Sequence, residues 1–222
     1  TFVSLGRQKF FAAILTISNH QPFDVPAGRT ELLPAETLEN RRLNGYRYAD
    51  WALGDFFDRA AGAEYFRRTV FVLVADHGRD FDRSQLFDAH GYRVPCVIYA
   101  PGLVAPRRVA TVASQTDIAP TLLALLGGQY EHGFLGRDLL SAAPGEGFAL
   151  LRQDDRLAVV QGEQVLVLPP DRPPVLFRLT RESMEELPAD PAAVETMRHR
   201  ALSYLSSARH LYFRNAYRFP SR

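Results

Sequence analysis

Thr69-Val-Phe-Val-Leu-Val-Ala-Asp76-His77-Gly78 is the stretch on which the fold of this 222-residue chain turns. Residues 69–75 form a continuous apolar run rather than an alternating one. That is the pattern of a strand covered on both faces in a parallel sheet. The run stops abruptly at a carboxylate, an imidazole and a glycine. In open α/β sheets, ligands gather outside the carboxyl ends of the strands. Asp76 and His77 therefore stand where a site belongs.

The flanking sequence repeats this grammar. Phe10-Phe11-Ala-Ala-Ile-Leu-Thr-Ile-Ser18 is a second near-continuous apolar run, expected to be a buried strand, and it ends in the polar loop Asn19-His20-Gln21-Pro22-Phe23. A helix is predicted from near Glu39 to Ala61, with Tyr46, Ala49, Leu53, Phe56 and Ala60 as its apolar stripe. Cys96 to Ala100 reads as a further strand, stopped by Pro101-Gly102. Thr116-Asp117 is expected to cap a short helix through Leu126, closed by Gly127-Gly128. Strands alternating with helices predict an α/β fold, a mainly parallel sheet flanked by helices.

From about Gly147 the pattern changes. FALLRQ, RLAVVQ, EQVLVLP and VLFRLT are short β-rich segments separated by turn residues, which predict an antiparallel meander. Asp190-Pro191 then opens a terminal helix, with Asp at the N-cap and Pro at the first helical position, running to about Arg209. The expected organisation is a partial α/β core over 1–146, followed by a small antiparallel sheet plus helix over 147–222.

Composition excludes several classes. At 46% hydrophobic residues the chain can bury a full core, so disorder and small disulfide scaffolds are ruled out. Lys plus Arg is 26 against 25 for Asp plus Glu, a net of +1, which gives no electrostatic reason for nucleic acid to bind. Lys9 is the only lysine among those basic residues, a bias expected of a GC-rich bacterial genome. The single cysteine, Cys96, forbids an intrachain disulfide and a multi-cysteine zinc site. No apolar run reaches the ~18 residues of a membrane span, and no signal-peptide pattern is present. Thr1 is not an initiator Met, and an apolar run begins at Phe10. The expectation is a piece of a longer protein that starts inside a domain.

Oxygen and nitrogen donors side by side at a strand tip suit Zn²⁺ or Mn²⁺, so Asp76 and His77 are candidate metal ligands. The plainer alternative is a loop-capping Asp beside a hydrogen-bonded His. Two more histidines lie near strand ends, His20 in SNHQPF and His90 in AHGYRVP. Convergence of three histidines and an aspartate on one sheet edge predicts a polar pocket.

Taken together, these residues resemble the alkaline phosphatase/sulfatase superfamily, and more narrowly the C-terminal half of its lipoteichoic acid synthase and phosphoglycerol transferase branch. The motifs come in the family's order: LTISNHQPF, NGYRYADWALGDFF, VFVLVADHG, HGYRVPCVIYAPG, SQTDIAPTLLALLG and FLGRDLL, covering roughly Phe10 to Leu140. The resemblance implies that Asp76 and His77 ligate a catalytic divalent metal, Mn²⁺ or Zn²⁺, with Mg²⁺ and Ca²⁺ as alternatives. It also implies that His20 and His90 bind the substrate. Asp50, Trp51 and Arg79 are expected to support the pocket rather than line it, Gln115 to fix a loop, and Asp117 to cap a helix.

The family mechanism requires a Thr or Ser nucleophile at a helix N-terminus, and no family motif marks Thr16 or Ser18 as that residue. The nucleophile is therefore expected upstream of this chain. The implied parent activity is phosphoglycerol transfer from a phospholipid head group to a glycan or glycolipid acceptor. It would act on the periplasmic face of a bacterial inner membrane, with the parent anchored by an N-terminal region. The alternatives are a sulfatase or phosphatase on the same scaffold, and an inactive relative with a binding role.

Overall fold

The computed structural model describes residues 9–127, 131–143 and 145–217. The fold is mixed α/β. Thr37 accepts a hydrogen bond from the backbone of Asn40 at 3.1 Å and so caps α1 (Leu38–Ala61). β1 (Phe71–Val74) and β2 (Cys96–Tyr99) pair as a two-stranded sheet. α2 (Ile118–Leu126) follows a 3₁₀ turn at Gln115–Asp117 and ends at Gly127, whereas Gly128 lies outside the described residues.

The second sheet is a five-stranded antiparallel meander in sequence order. Its strands are β3 (Phe148–Gln153), β4 (Arg156–Gln161), β5 (Gln164–Leu168), β6 (Val175–Leu179) and β7 (Met184–Glu186). α3 (Pro191–Phe213) closes the chain, with the Asp190 carboxylate accepting from the amides of Ala192 and Ala193. Both faces of this sheet are covered, which explains why β4 and β5 read as unbroken apolar runs. Ala158, Val160, Val165 and Val167 pack with Phe87 and Ala89 on one face. Val159, Leu166 and Leu176 pack with Met197 and Ala201 of α3 on the other. The alternation within each strand is the period-2 rule of the pleat.

Two compact units divide the chain. The first comprises Thr1–Phe71 with Tyr99–Ala105, and the second comprises Val72–Ile98 with Pro106–Arg222. An aromatic cluster organises the first: the Phe57 ring lies 5.2 Å from Phe71 and 5.5 Å from Tyr99, in edge-to-face geometry.

Two expectations are corrected. Phe10–Ser18 forms no strand, and Phe11 is 90% exposed alongside exposed Ile14, Leu15 and Ile17. A strand exists only through ladder partners for its amides and carbonyls. Apolar composition supplies the propensity, but no strand pairs with this segment among the described residues. The α1 stripe is also only partly right, since Ala60 is buried but Tyr46 and Leu53 are exposed. The face that α1 buries near its start is instead Asn44 and Gly45.

Candidate metal centre

β1 delivers Asp76 and His77 just beyond its C-terminal end, and Gln115 fixes that tip. The Gln115 side-chain amide donates to the carbonyls of Ala75 at 2.8 Å and Asp76 at 2.9 Å. Gln115 is thus a loop-fixing residue, as its place in SQTD predicts. A side chain at position 78 would collide with the backbone: an added Cβ would sit 1.9 Å from the carbonyl oxygen of Gly91. Gly78 is therefore required where the loop passes against the 3₁₀ turn Ala89–Tyr92.

Within the pair, one Asp76 oxygen accepts from the His77 amide at 2.9 Å, and the other lies 3.9 Å from Nε2 of His77. The His77 Nδ1 lies 2.8 Å from the Gly78 carbonyl, which assigns the proton to Nδ1. That leaves Nε2, 3.9 Å from the Asp76 carboxylate, as the unprotonated nitrogen of the neutral ring. A ligating histidine commonly has its second nitrogen held in this way by a backbone carbonyl. The same bond, with the nearby Asp76 charge, raises the His77 pKa above its ordinary value. A metal ligated by His77 would compete with that proton, the more so as pH falls.

The chemistry of this donor set fits a divalent cation: a carboxylate oxygen and an imidazole nitrogen, both exposed, converge on one space. Asp76 and His77 could supply two ligands to such a cation. Among the described residues no group of three or more His, Cys, Asp or Glu side chains is gathered so as to hold a metal.

His90 lies on the 3₁₀ turn, in the second unit with Asp76 and His77. Its Nε2 is 3.2 Å from the Thr180 carbonyl, and its Nδ1 is 4.0 Å from the Asp88 carboxylate. Both ring nitrogens thus face protein oxygens. His20 belongs to the first unit and is exposed. Its Nδ1 contacts the Gln21 carbonyl at 2.8 Å, and its backbone closes two turns, to Ile17 and from Phe23. Gly45 of α1 permits this loop to lie close, since a Cβ there would meet the Ser18 carbonyl oxygen at 2.8 Å. Asn44 beside it pins the Leu33 backbone through both amide atoms, at 2.7 and 2.9 Å. Trp51 stacks on Tyr48 and carries the Arg29 guanidinium 5.6 Å over its ring.

Sequence reasoning passed over Asp88, which is 1% exposed. It accepts from Arg79 at 2.9 Å, from the Asp82 amide at 2.9 Å and from the Gly91 amide at 3.1 Å. Its own amide donates to Gln153 of β3 at 3.0 Å. Nothing in the string F-D-A-H-G marks this Asp as buried. Asp117 stands at the N-cap position of α2, but its side chain makes no cap bond to that helix; its carboxylate instead accepts from the Ser114 amide at 2.8 Å, closing a capping box on the preceding 3₁₀ turn. It also holds Arg137 of the FLGRDLL motif, whose Nη2 lies 3.1 Å from its carboxylate.

A family model described as Sulfatase matches residues 3–128. The lipoteichoic acid synthase-like YvgJ of Bacillus subtilis is 29% identical over 160 residues, covering 60% of this chain and 25% of the relative. Arylsulfatase K of Mus musculus is 26% identical, covering 57% of this chain and 25% of that protein. The chain thus spans about a quarter of the length of these curated relatives. A solved structure of an alkaline phosphatase superfamily protein from Vibrio parahaemolyticus superposes with a TM-score of 0.79 at 28% identity, covering 92% of this chain and 49% of the other.

Proposed function

The chain belongs to the Sulfatase family, and from that premise we propose that it is the metal-holding C-terminal part of a phosphoglycerol transferase. The donor would be a phospholipid and the acceptor a glycan or glycolipid, on the extracytoplasmic face of a bacterial inner membrane. The observation that carries this reading is the Asp76–His77 pair, with Nδ1 of His77 tied to Gly78 and Nε2 3.9 Å from the carboxylate. Likeness to lipoteichoic acid synthase-like proteins supports the transferase over other activities of the family.

Asp76 and His77 would hold a divalent cation, which when bound neutralises charge developing on the reacting oxyanion. His20, the first of the two proposed substrate-binding histidines, is exposed at its loop. Contact between His90 Nε2 and a head group requires the Thr180 bond to open. The attacking Thr or Ser is proposed to come from outside this chain. No helix among the described residues is long and apolar enough to cross a membrane.

Likeness to arylsulfatase K favours a second reading, hydrolysis of a sulfate ester on the same scaffold. Isothermal titration of Mn²⁺ and Zn²⁺ into the chain tests the shared premise: weak binding is expected, and Asp76→Ala abolishes it. Equal affinity in the variant overturns the site. Diacylglycerol release from phosphatidylglycerol, set against p-nitrocatechol sulfate hydrolysis by the parent protein, separates the two reactions.

A further inference from the structure

A cleft of about 390 Å³ lies against α3, on the side of the meander where Phe148 begins β3. It falls outside residues 3–128, the stretch that matches the family model. Phe148 and Tyr204 form its aromatic wall, edge to face with centroids 5.6 Å apart. Along α3, His199, Ser203 and Ser207 recur every four residues and so line one face of the helix, with Arg200 beside them.

Two guanidinium groups share the Phe148 ring. Arg137 lies 4.4 Å from its centroid and Arg200 lies 5.1 Å away. Their surroundings differ. Arg137 is paired with buried Asp117, and it also donates to the carbonyls of Glu146 and Phe148, each at 2.8 Å. Among the described residues, Arg200 has a buried Nη1 with no hydrogen-bond partner, and no carboxylate lines the cleft. A buried cationic N–H without an acceptor is costly, and a second cation on the same ring adds repulsion. An oxyanion seated in the cleft would pair with the Arg200 guanidinium, which lines it, and offset the two positive charges on the ring.

We propose that this cleft is an oxyanion-binding site for a phosphate or sulfate ester, sharing no residue with the Asp76–His77 pair. Arg200 supplies the charge. The Ser203 and Ser207 hydroxyls and the His199 ring supply further hydrogen bonds. The Phe148–Tyr204 wall offers an apolar surface for the organic part of the ester. The site does not depend on the metal reading, because its parts all lie on β3 and α3.

The test is a titration of the ¹⁵N-labelled chain with inorganic phosphate and, separately, inorganic sulfate, with chloride at matched ionic strength as control. Saturable shifts are expected at the Arg200 side-chain N–H and at the Ser203 and Ser207 amides with phosphate or sulfate, and not with chloride. The tighter of the two anions identifies the ester. Arg200→Gln should weaken binding by about tenfold or more, the scale of a lost charge-assisted hydrogen bond. Asp76→Ala should leave binding unchanged, so failure of the metal centre does not touch this result. Ser203→Ala/Ser207→Ala alters only exposed side chains, and a several-fold loss is expected from it even if Arg200→Gln fails to fold. The proposal is overturned by shifts that chloride reproduces, by the absence of saturable binding, or by full affinity in these variants.

Discussion

Nη2 of Arg79 lies 2.9 Å from Oδ2 of Asp88, joining a side chain that is 57% exposed to one that is 1% exposed. The pair ties the loop after β1 to a carboxylate already engaged by the amides of Asp82 and Gly91. The asymmetry of exposure decides which partner matters more for stability.

Asp88→Ala removes the common acceptor and strands those donors, so a loss of about 3–5 kcal/mol is expected, the range for breaking a buried charged network. Arg79→Ala leaves Asp88 its two amide donors, and the solvent-screened guanidinium contributes about 1 kcal/mol or less. Urea denaturation followed by circular dichroism compares the two. Equal losses would refute this ordering.

Two glycines should respond with opposite signs. Gly78→Ala drives a Cβ to 1.9 Å from the Gly91 carbonyl oxygen. Backbone on both sides must move, at a cost of about 1–3 kcal/mol, and Mn²⁺ affinity at Asp76 and His77 should fall with it. Gly54 lies inside α1, and a Cβ there meets nothing within 4 Å. Gly54→Ala should stabilise by about 0.5–1 kcal/mol through helix propensity alone. Melting curves of the two variants read the sign directly.

Asp82 has a carboxyl pKa lowered to about 2, chiefly by the Ser84 hydroxyl at 2.6 Å and then by the Gln85 amide at 2.8 Å. A depressed carboxyl stabilises the folded state above its unfolded value of 3.8. That contribution is lost as pH falls through about 2. Ser84→Ala should move the midpoint up toward 3.8, as followed by the carboxyl ¹³C shift of Asp82. A native midpoint already near 3.8 would contradict the hydrogen-bond assignment.

Local signals in the chain were legible wherever one residue type answers one local need. Asp190-Pro191 opens α3 because a side-chain acceptor and a missing N–H both suit a helix start. Two-residue gaps such as Asp154-Asp155 and Gly162-Glu163 separate the strands of the meander, and the apolar runs between them pair as expected. β7 was missed because Met184-Glu185-Glu186 has no strand-like pattern and becomes a strand only by pairing with β6. The Phe10–Ser18 run fails in the opposite direction: its pattern is right, and no strand pairs with it among the described residues.

By itself the sequence determined the order of most elements, the family resemblance and the Asp76-His77 tip, since all three depend on neighbours in the chain. Tertiary structure decided which acidic residues are buried, making Asp88 a hub for the loop after β1 and Asp117 the partner of Arg137. It also decided that His90 faces Thr180, and that Arg200 stands over Phe148 with no acceptor for its buried nitrogen among the described residues. Burial and charge pairing are set by residues far apart in the chain, and no local spacing encodes which of them will meet.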